Sequence, residues 1–565
     1  MSDSSSDDEE NSLSRKPSEE QEEILAEIVD LEEAVPYLSA DYKLLDRLGT
    51  GTFSSVYKAL DLHYHDKWFN APWHGHHHTS SSAHYQSLPR PPGTKVYVAV
   101  KRIYVTSSPE RIRNEISILD ECRSCRHVSQ LITAFRQQDQ VVVIMPYQKN
   151  DDFRDYFTAL PMEGIKAYMR CLLRALRDVH SRRIIHRDVK PANFLFDPRT
   201  GIGTLCDFGL ACRMNYDTGL NLCLHTLPTA ENPHGMSRNK REYNVPHYKQ
   251  MNREAKQKTM RPSEEVGYLD KDPRPHSKAN RAGTRGFRAP EVLLKCGDQT
   301  GAVDVWAAGT ILLFFLTKKF PLFQSNDDIE ALMEIGTIIG RRNMELTACL
   351  HSRTFSTNVP SITSEGISWS EFVTKQNPDL YSVPEPDVRF YPYTKQLKDQ
   401  AQRQIQELDA PKQTPGPSQK QHEEDIDNAL DLIEGLLHPL CTKRLTPRSA
   451  LYHPFLHCSS NRRQREADPM VDEDTDMEFG VDEDLDEEVE PEDDEFFPHP
   501  FGEGVCRKWH ARDEVGAPYV CIYAQDDFNR RKKVWHSLTS GEGIAIGKQP
   551  CEFHKICYEL DMPET

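Results

Sequence analysis

One stretch constrains the fold of this chain more than any other, and it reads IIHRDVKPANFLF at residues 184–196. It sets Asp188, Lys190 and Asn193 at short fixed intervals between two apolar runs. A chance arrangement of these residue types at this spacing is improbable, so the stretch indicates a site that carries chemistry.

Four further motifs accompany this stretch in a fixed order along the chain. GTGTFSSV (49–56) and VAVK (98–101) precede it, and CDFGLA (206–211) and GTRGFRAPEV (283–292) follow it. Each motif alone is weak, but the ordered set is specific. Over about residues 41–457 the chain resembles the eukaryotic protein kinase family. This resemblance implies an α+β, bilobal fold with a small β-rich N-lobe and a large helical C-lobe.

The resemblance implies ATP as a cofactor between the lobes. Gly49 and Gly51 allow the backbone to approach the phosphates, although Ser54 stands where a third glycine is usual. Lys101 would neutralise the α- and β-phosphates, held in place by Glu115. The residues expected around the adenine are Val56, Ala99, the gatekeeper Met145, and the hinge residues Tyr147 and Gln148.

The same resemblance assigns the catalytic residues. Asp188 would accept or orient the substrate hydroxyl proton, and Lys190 would meet the γ-phosphate. Asn193 and Asp207 would bind Mg²⁺ through oxygen, the ligand atom that this cation prefers. A lysine at position 190 and Thr284 are typical of Ser/Thr kinases. All groups needed for phosphoryl transfer are therefore present, which argues against a pseudokinase.

Other residues are predicted to be structural. Glu291 would pair with Arg444, and Asp304 would brace the catalytic loop from below.

Three arginines are expected near the substrate. Arg187 commonly faces a phosphorylated residue in kinases, while Arg285 and Arg288 are candidate readers of acidic residues in a substrate. For Arg288 a structural role is the stronger expectation.

Local patterns predict the elements of the N-lobe. Residues 41–60 indicate two strands around a glycine turn, and further strands are expected at 95–105 and 140–147. A short helix is plausible at 21–34. Another begins after Ser108, a good N-cap, with Pro109 in its first turn. Its buried stripe is predicted to consist of Ile112, Ile116 and Leu119.

Composition divides the chain into parts. The predicted division comprises an acidic, Ser-rich and largely disordered 1–40, an N-lobe 41–150 with an insertion 62–94, a C-lobe 151–458 with insertions at about 212–281 and 376–422, an acidic linker 459–500, and a small module of unknown role 501–565.

The net charge of −19 comes from the acidic parts: residues 1–40 carry 13 acids and 2 bases, and residues 472–495 carry 16 acids and no base. The remainder is basic, at +8. A basic core suits acidic or phosphate-bearing partners, although the flanking acids also act simply as a solubilising surface.

Several features resemble one subfamily of kinases. The three insertions, the hinge MPY, and Phe287 in the segment GTRGFRAPEVLLK are similar to the catalytic subunit of the Dbf-dependent kinase (DDK), the cell-division-cycle kinase that fires replication origins, in a fungal form. This resemblance implies a nuclear, chromatin-associated enzyme with a Dbf-type activator subunit and MCM helicase subunits as substrates. It also implies serine targets in acidic context, no direct readout of nucleic acid and no membrane. We expect the 212–281 segment to dock the activator.

Two other functions stay open from the sequence. One is a cyclin-dependent-like or casein-kinase-like enzyme of the same fold, although KRIYVTSSPERIRNEISIL lacks a PSTAIRE-like helix sequence. The other is a chromatin scaffold that works through its insertions and acidic tail.

Cysteines and histidines give weaker signals. The activation insertion contains them at irregular intervals that do not favour a zinc site, namely Cys212, Cys223, His225, His234 and His247. The tail 501–565 contains Cys506, His510, Cys521, Cys551, His554 and Cys557, which could staple a small β-rich module. Ordinary thiols are the preferred interpretation in both places.

Overall fold

The computed structural model describes most of the kinase-like region and leaves gaps at the insertions and tails. The described residues are 12–51, 54–65, 93–104, 108–123, 125–214, 223–229, 232–238, isolated residues between 246 and 260, 282–398, 416–456, 510–512, 518–525 and 531–537.

A five-stranded antiparallel sheet forms the N-lobe, with strand order β1-β2-β3-β5-β4. Its elements are the helices α1 (Ser18–Ala34) and α2 (Pro36–Asp41), the strands β1 (Tyr42–Thr50), β2 (Ser54–Asp61) and β3 (Tyr97–Ile103), the helix α3 (Pro109–Glu121), and the strands β4 (Thr133–Gln137) and β5 (Gln140–Pro146). The strands predicted at 41–60, 95–105 and 140–147 are therefore confirmed to within a few residues.

Helix α1 packs on the outer face of this sheet. Ile24, Ile28 and Leu31 lie on one side of the helix and are buried against sheet residues. Its acidic residues meet bases from the sheet: Arg47 lies 2.7 Å from Glu23 and 2.8 Å from Glu27. The expectation that residues 1–40 are largely disordered was wrong for 13–40. The apolar stripe of α1 packs on the sheet, and the ion pairs compensate its acidic residues, so the helix is stable there. Residues 1–11 lie outside the described residues.

Helix α3 begins as the sequence predicts. The Ser108 hydroxyl caps it by accepting the Arg111 N–H at 3.2 Å, and Pro109 occupies the first turn. The predicted buried stripe needs correction: Glu115, Ile118 and Leu119 are the buried residues, while Ile112 and Ile116 are only partly buried. Ile112 and Ile116 still pack against the core beside Glu115, whose buried charge is compensated by its ion pair with Lys101.

The C-lobe surrounds one central helix. Its elements are the helices α4 (Phe153–Tyr156) and α5 (Met162–Ser181), the strands β6 (Ile184–Ile185), β7 (Phe194–Asp197), β8 (Ile202–Leu205) and β9 (Cys212–Arg213), and the helices α6 (Pro290–Leu293), α7 (Ala302–Thr317), α8 (Asp328–Ile339), α9 (Arg341–Leu350), α10 (Trp369–Gln376), α11 (Gln419–Leu436) and α12 (Pro447–Leu451). Every residue of α7 is buried. A helix that is apolar on all sides occupies the interior of a domain, and α7 accordingly forms the centre of the lobe.

The insertions are only partly described. Residues 66–92 and 399–415 lie outside the described residues, as does most of 239–281. The third insertion is shorter than predicted, because α11 begins at Gln419 with Ser418 as its N-cap. In the tail, β10 (His510–Arg512), β11 (Pro518–Gln525) and β12 (Arg531–Ser537) form an antiparallel sheet. Within the described parts of the chain, no helix is long and apolar enough to cross a bilayer.

The packing of α1 generates a first prediction. Leu31→Ala should lower the free energy of unfolding by roughly 2–5 kcal/mol, because it leaves a cavity under a fully buried side chain. Leu25→Ala on the same helix should change it by at most about 0.5 kcal/mol, since Leu25 is 50% exposed. Denaturant unfolding of both variants measures the difference, and equal effects would show that α1 does not pack on the sheet in solution.

Candidate active site

The glycine turn connects β1 and β2. In the strand register Gly49 faces Val56, and the Gly51 N–H donates to the Ser54 carbonyl at 2.8 Å. A side chain at Gly49 would meet no atom within 4 Å, so the turn is open on that side. Residues 52–53 at its tip lie outside the described part of the chain. The open, narrow turn leaves backbone available to cover a phosphate-bearing ligand.

Lys101 on β3 connects three elements by charge. Its Nζ lies 2.6 Å from Glu115 Oε1 on α3 and 3.0 Å from Asp207 Oδ1. Burial disfavours the ammonium, but the two carboxylates outweigh it and raise the pKa of Lys101. Burial likewise works against ionised Asp207, yet Lys101 lowers the pKa of that carboxyl below its usual value. Lys101 and Asp207 are therefore both charged at neutral pH.

Helix α3 is held in this paired position by the activation segment. Arg111 Nε donates to the Gly209 carbonyl at 2.9 Å, and Asn114 Nδ2 donates to the Ala211 carbonyl at 2.9 Å. Farther along, Arg213 on β9 lies 2.6 Å from Glu121 Oε1 and 2.7 Å from Ser117 Oγ. The outermost of these contacts are exposed to solvent, where an ion pair contributes at most about 1 kcal/mol.

The carboxylate of Asp188 lies at the centre of the catalytic loop. Its Oδ1 accepts both the N–H and the hydroxyl of Thr284 at 2.9 Å. Its Oδ2 lies 2.8 Å from Lys190 Nζ and 3.1 Å from Asn193 Nδ2. Lys190 also donates to the Thr284 hydroxyl at 3.1 Å. The structure thus brings the predicted catalytic residues 188, 190 and 193 together with the closing end of the activation segment.

Asp304, near the start of α7, supports this loop from the C-lobe interior. Its oxygens accept the N–H groups of His186 at 2.8 Å and Arg187 at 2.7 Å, and His180 Nε2 lies 2.9 Å away. Burial opposes the charge of Asp304, but His180 and the backbone donors lower the pKa of this carboxyl. Arg187 has a left-handed φ of 72°, a conformation that non-glycine residues rarely adopt and that these hydrogen bonds maintain.

The predicted adenine-side residues lie on three neighbouring strands, β2, β3 and β5. Val56 pairs with Lys101, and Ala99 pairs with Met145. The Tyr147 N–H donates to the Tyr97 carbonyl at 3.4 Å, which holds Tyr147 at the sheet edge. Gln148 follows it and is partly exposed. The side chains expected around an adenine therefore belong to neighbouring strands and the segment that leaves them.

The closing end of the activation segment is anchored by a buried ion pair. Arg444 Nη1 and Nη2 lie 2.6 and 3.0 Å from the two oxygens of Glu291. Arg288 pairs with Asp328 at 2.5 Å and donates to the Gly283 carbonyl at 2.9 Å. These contacts give Arg288 a structural role. Arg285 is exposed, and its guanidinium has no hydrogen-bond or ion-pair partner among the residues that the structure describes; only its backbone carbonyl is bonded, by the Arg288 N–H at 3.0 Å.

Known proteins resemble this chain in sequence. The family profile of the protein kinase domain matches residues 90–228 and 267–456. The chain belongs to the protein kinase family. The cell cycle serine/threonine-protein kinase hsk1 of Schizosaccharomyces pombe is 37% identical over 83% of this chain and 82% of the relative. The cell cycle protein kinase spo4 of the same organism is 35% identical over 78% of this chain and 91% of its own length.

More distant relatives carry related names. The cell division cycle 7-related protein kinase of Homo sapiens is 28% identical over 56% of this chain and 68% of that protein. The resemblance to cell-division-cycle kinases is thereby confirmed, and this chain is a protein serine/threonine kinase of the cell-cycle group.

A protein kinase domain implies ATP and a divalent metal ion, and the residues present fit both. Asn193 uses its Nδ2 to reach the Asp188 carbonyl at 2.9 Å, which leaves its amide oxygen for a cation. Asp207 uses Oδ1 for Lys101 and is half-exposed, which leaves Oδ2. Asn193 and Asp207 would thus supply two oxygen ligands, which a hard divalent cation prefers, and Lys101 beside them would neutralise phosphate charge.

Sequence reasoning missed several residues that complete the site. Arg111, Asn114 and Arg213 connect α3 to the activation segment, and Gln299 accepts from Arg187 Nη2 at 2.7 Å. Arg187, expected to face a phosphorylated residue, is engaged by this neutral amide. No local pattern signals such contacts, because each joins residues that are far apart along the chain.

The Glu291–Arg444 pair generates a second prediction, which depends on pH. Burial by itself would raise the pKa of Glu291, but the Arg444 guanidinium outweighs this effect and holds the pKa below its usual value. The stabilisation is therefore present above the unfolded-state pKa of about 4.3 and is lost as pH falls through the folded-state pKa. Glu291→Gln should lower the free energy of unfolding by roughly 3–5 kcal/mol at neutral pH, and the difference from wild type should shrink below about pH 4.

Glu365→Gln is the matched control for this experiment. Glu365 and Arg342 form a pair at 3.5 Å in which both side chains are 70% exposed, so its loss should change stability by less than about 1 kcal/mol. Denaturant unfolding between neutral and acidic pH compares the two variants. A loss at Glu291 that is independent of pH would contradict the ion-pair explanation.

Proposed function

We propose that this kinase is the catalytic subunit of a nuclear, chromatin-associated complex that a Dbf-type regulatory subunit activates. It transfers the γ-phosphate of ATP, with Mg²⁺, to serines in acidic context on MCM helicase subunits and so promotes origin firing. The observation that carries the proposal is the assembled site around Asp188 and Lys101, in a chain similar over most of its length to cell-cycle kinases.

The catalytic loop supports direct transfer to a hydroxyl. Asp188 is only 7% exposed and lies between Lys190 and Thr284, so a substrate hydroxyl that reaches it is oriented and has an acceptor for its proton. Lys190 neutralises charge on the group being transferred. MgATP supplies the phosphoryl group and further neutralisation. Lys101, Glu115 and Asp207 position that substrate from the other side of the cleft.

Activation by a partner fits the way α3 is held. Glu115 sits in its paired position, but the contacts of Arg213 with Glu121 involve side chains that are each 41% exposed. Interactions of this kind are weak, so a partner that contacts α3 can shift the population of the paired state. Residues 223–229 and 232–238 of the activation insertion lie against the kinase's own C-lobe, which leaves the rest of 212–281 as the proposed docking segment.

Positive charge near the segment that would bind the substrate peptide is consistent with acidic target sequences. Arg285 is exposed in the segment that follows Thr284, and the chain outside its two acidic flanks carries a net charge of +8. A guanidinium with no partner among the described residues is available to a carboxylate or phosphate on the peptide. Arg288 does not serve here, because Asp328 occupies it.

The first test is phosphorylation of an acidic-flanked serine peptide by the purified full chain, with and without a Dbf-type subunit. We expect little activity alone and strong labelling with the partner. Asp188→Asn should lower the rate by roughly 10²–10⁴-fold, because the substrate hydroxyl loses its proton acceptor. Full activity without the partner would contradict the activator proposal and favour a casein-kinase-like enzyme. If Asp188→Asn also supported origin firing in cells, the chain would act as a scaffold.

Arg285 generates a separate prediction on specificity. Arg285→Ala should raise KM for an acidic peptide by roughly tenfold and leave the rate on a neutral peptide unchanged, since one charge-assisted hydrogen bond is lost. Arg342→Ala is the control, because Arg342 is also an exposed arginine but lies on α9. Equal kinetics of the Arg285 and Arg342 variants on both peptides would exclude Arg285 as the reader.

A further inference from the structure

A buried lysine lies at the hinge end of the strands that line the nucleotide site. Lys58, on β2, is only 1% exposed. Its Nζ lies 4.4 Å from the centre of the Tyr147 ring and 4.7 Å from the centre of the Tyr97 ring. The catalytic and metal-binding residues described above do not include this lysine, so its burial needs a separate explanation.

The sheet directs Lys58 toward the cleft between the lobes. Its neighbours Tyr57 and Ala59 belong to the cluster that packs with α1 on the outer face. Successive side chains of a strand point to opposite faces, so Lys58 lies on the inner face, as Val56 does. Across the ladder Lys58 pairs with Ala99, and directly opposite residues share a face. Lys58 is therefore a neighbour of two residues that are predicted to contact adenine.

Two tyrosine rings enclose the ammonium group of Lys58. Tyr97 is the first residue of β3, and Tyr147 follows the end of β5 in the hinge. Their ring centres are 6.3 Å apart, and the ring planes are inclined by 70°. The face of an aromatic ring attracts a cation within about 6 Å of its centre, and more strongly where water is excluded. The lysine therefore holds both rings in place.

The hinge is attached to the sheet at Tyr147 in two ways. The Tyr147 N–H donates to the Tyr97 carbonyl at 3.4 Å, and the Tyr147 ring contacts Lys58. The hydrogen bond is longer than the usual range of about 2.7–3.2 Å, so the ring contact supplies much of the restraint on this residue. A backbone segment that is fixed before a ligand arrives loses less conformational freedom when the ligand binds.

We propose that Lys58 is a positioning residue of the nucleotide site: it holds the Tyr147 ring and thereby orients the hinge backbone of Tyr147 and Gln148 toward adenine. Packing alone does not explain a lysine here, because an apolar side chain of similar length would fill the space without removing a charge from water. The inference rests on the nucleotide site of the kinase domain and is independent of the proposed activator and substrates.

Binding of MgADP to the purified full-length chain tests the proposal without substrate or activator. Lys58→Met removes the charge, preserves most of the length and should raise the Kd for MgADP roughly tenfold, which corresponds to about 1.4 kcal/mol. Lys58→Arg should recover most of the affinity, because a guanidinium also stacks on aromatic rings. Lys43→Met is the matched control and should leave the Kd unchanged, since Lys43 is an exposed lysine on β1. Isothermal titration calorimetry measures the Kd of all four proteins.

A role in folding alone gives a different pattern from a positioning role. The denaturant midpoints of Lys58→Met and Lys43→Met without nucleotide should lie close together, because the lost ring contacts are offset by no longer burying a charge. Steady-state kinetics should show the KM for ATP raised by the same factor as the Kd, with kcat at saturating ATP unchanged.

Three outcomes would overturn the proposal. They are equal Kd values for Lys58→Met and wild type, a Lys58→Arg variant that binds no better than Lys58→Met, and a large fall in the unfolding midpoint of Lys58→Met, which would assign the lysine to folding. A wild-type chain without kinase activity would contradict the proposed function, whereas the Kd values would still decide this inference.

Substitutions at Tyr97 cover the case in which Lys58→Met does not fold. Both variants keep the backbone carbonyl that accepts from Tyr147. Tyr97→Leu removes one ring and should raise the Kd for MgADP roughly fivefold. Tyr97→Phe retains the ring and should bind as wild type does. Equal Kd values for Tyr97→Leu and Tyr97→Phe would show that the rings do not position the hinge.

Discussion

The buried carboxylate of Asp304 is the constraint on which the catalytic site depends. It accepts the N–H groups of His186 and Arg187, so the backbone immediately before Asp188 has a single orientation. Because α7 is buried along its whole length, Asp304 itself cannot shift without disturbing the core of the lobe. The left-handed φ of Arg187 would be unfavourable in a free loop and is maintained by these bonds. The position of Asp188, the proposed catalytic base, is thus determined by packing in the interior of the C-lobe.

The N-lobe contacts Asp207 through the charged side chain of Lys101, in addition to apolar packing. Lys101 lies between Glu115 and Asp207, and its pKa is raised because the two carboxylates outweigh the effect of burial. An ion pair of this kind is costly to break from one side, since the partner would remain charged and buried. The exposed contacts of Arg213 with α3 are much weaker. The kinase therefore combines a strong central ion pair with weaker, solvent-exposed contacts at the far end of α3.

The sequence predicted what local chemistry determines. The ordered motifs carried the resemblance to protein kinases, which implied the bilobal α+β fold, and Ser108 with Pro109 predicted the start of α3. The buried stripe of α3 was predicted in part: Leu119 is buried and Ile112 and Ile116 pack against the core, but periodicity counts only apolar residues and could not show that Glu115 is buried with its partner Lys101. The extent of order at the N-terminus was underestimated. An acidic composition by itself indicates disorder, and the sequence did not show that bases of the sheet such as Arg47 pair with these acids. Cys296 and His351 could not be associated with the insertion, because only the folded C-lobe brings them to Cys223.

A long activation segment is tolerated because both of its ends are fixed. The closing end is held by Thr284 on Asp188 and by Glu291 on Arg444, and the opening end by Arg213 on α3. The entropy of closing a loop grows only with the logarithm of its length, by about 0.6 kcal/mol for each doubling. Added residues between two fixed ends therefore cost little stability. What they can disturb is the alignment of the ends, and contacts such as Leu224 on Leu350 limit that disturbance by attaching the insertion to the lobe near its start.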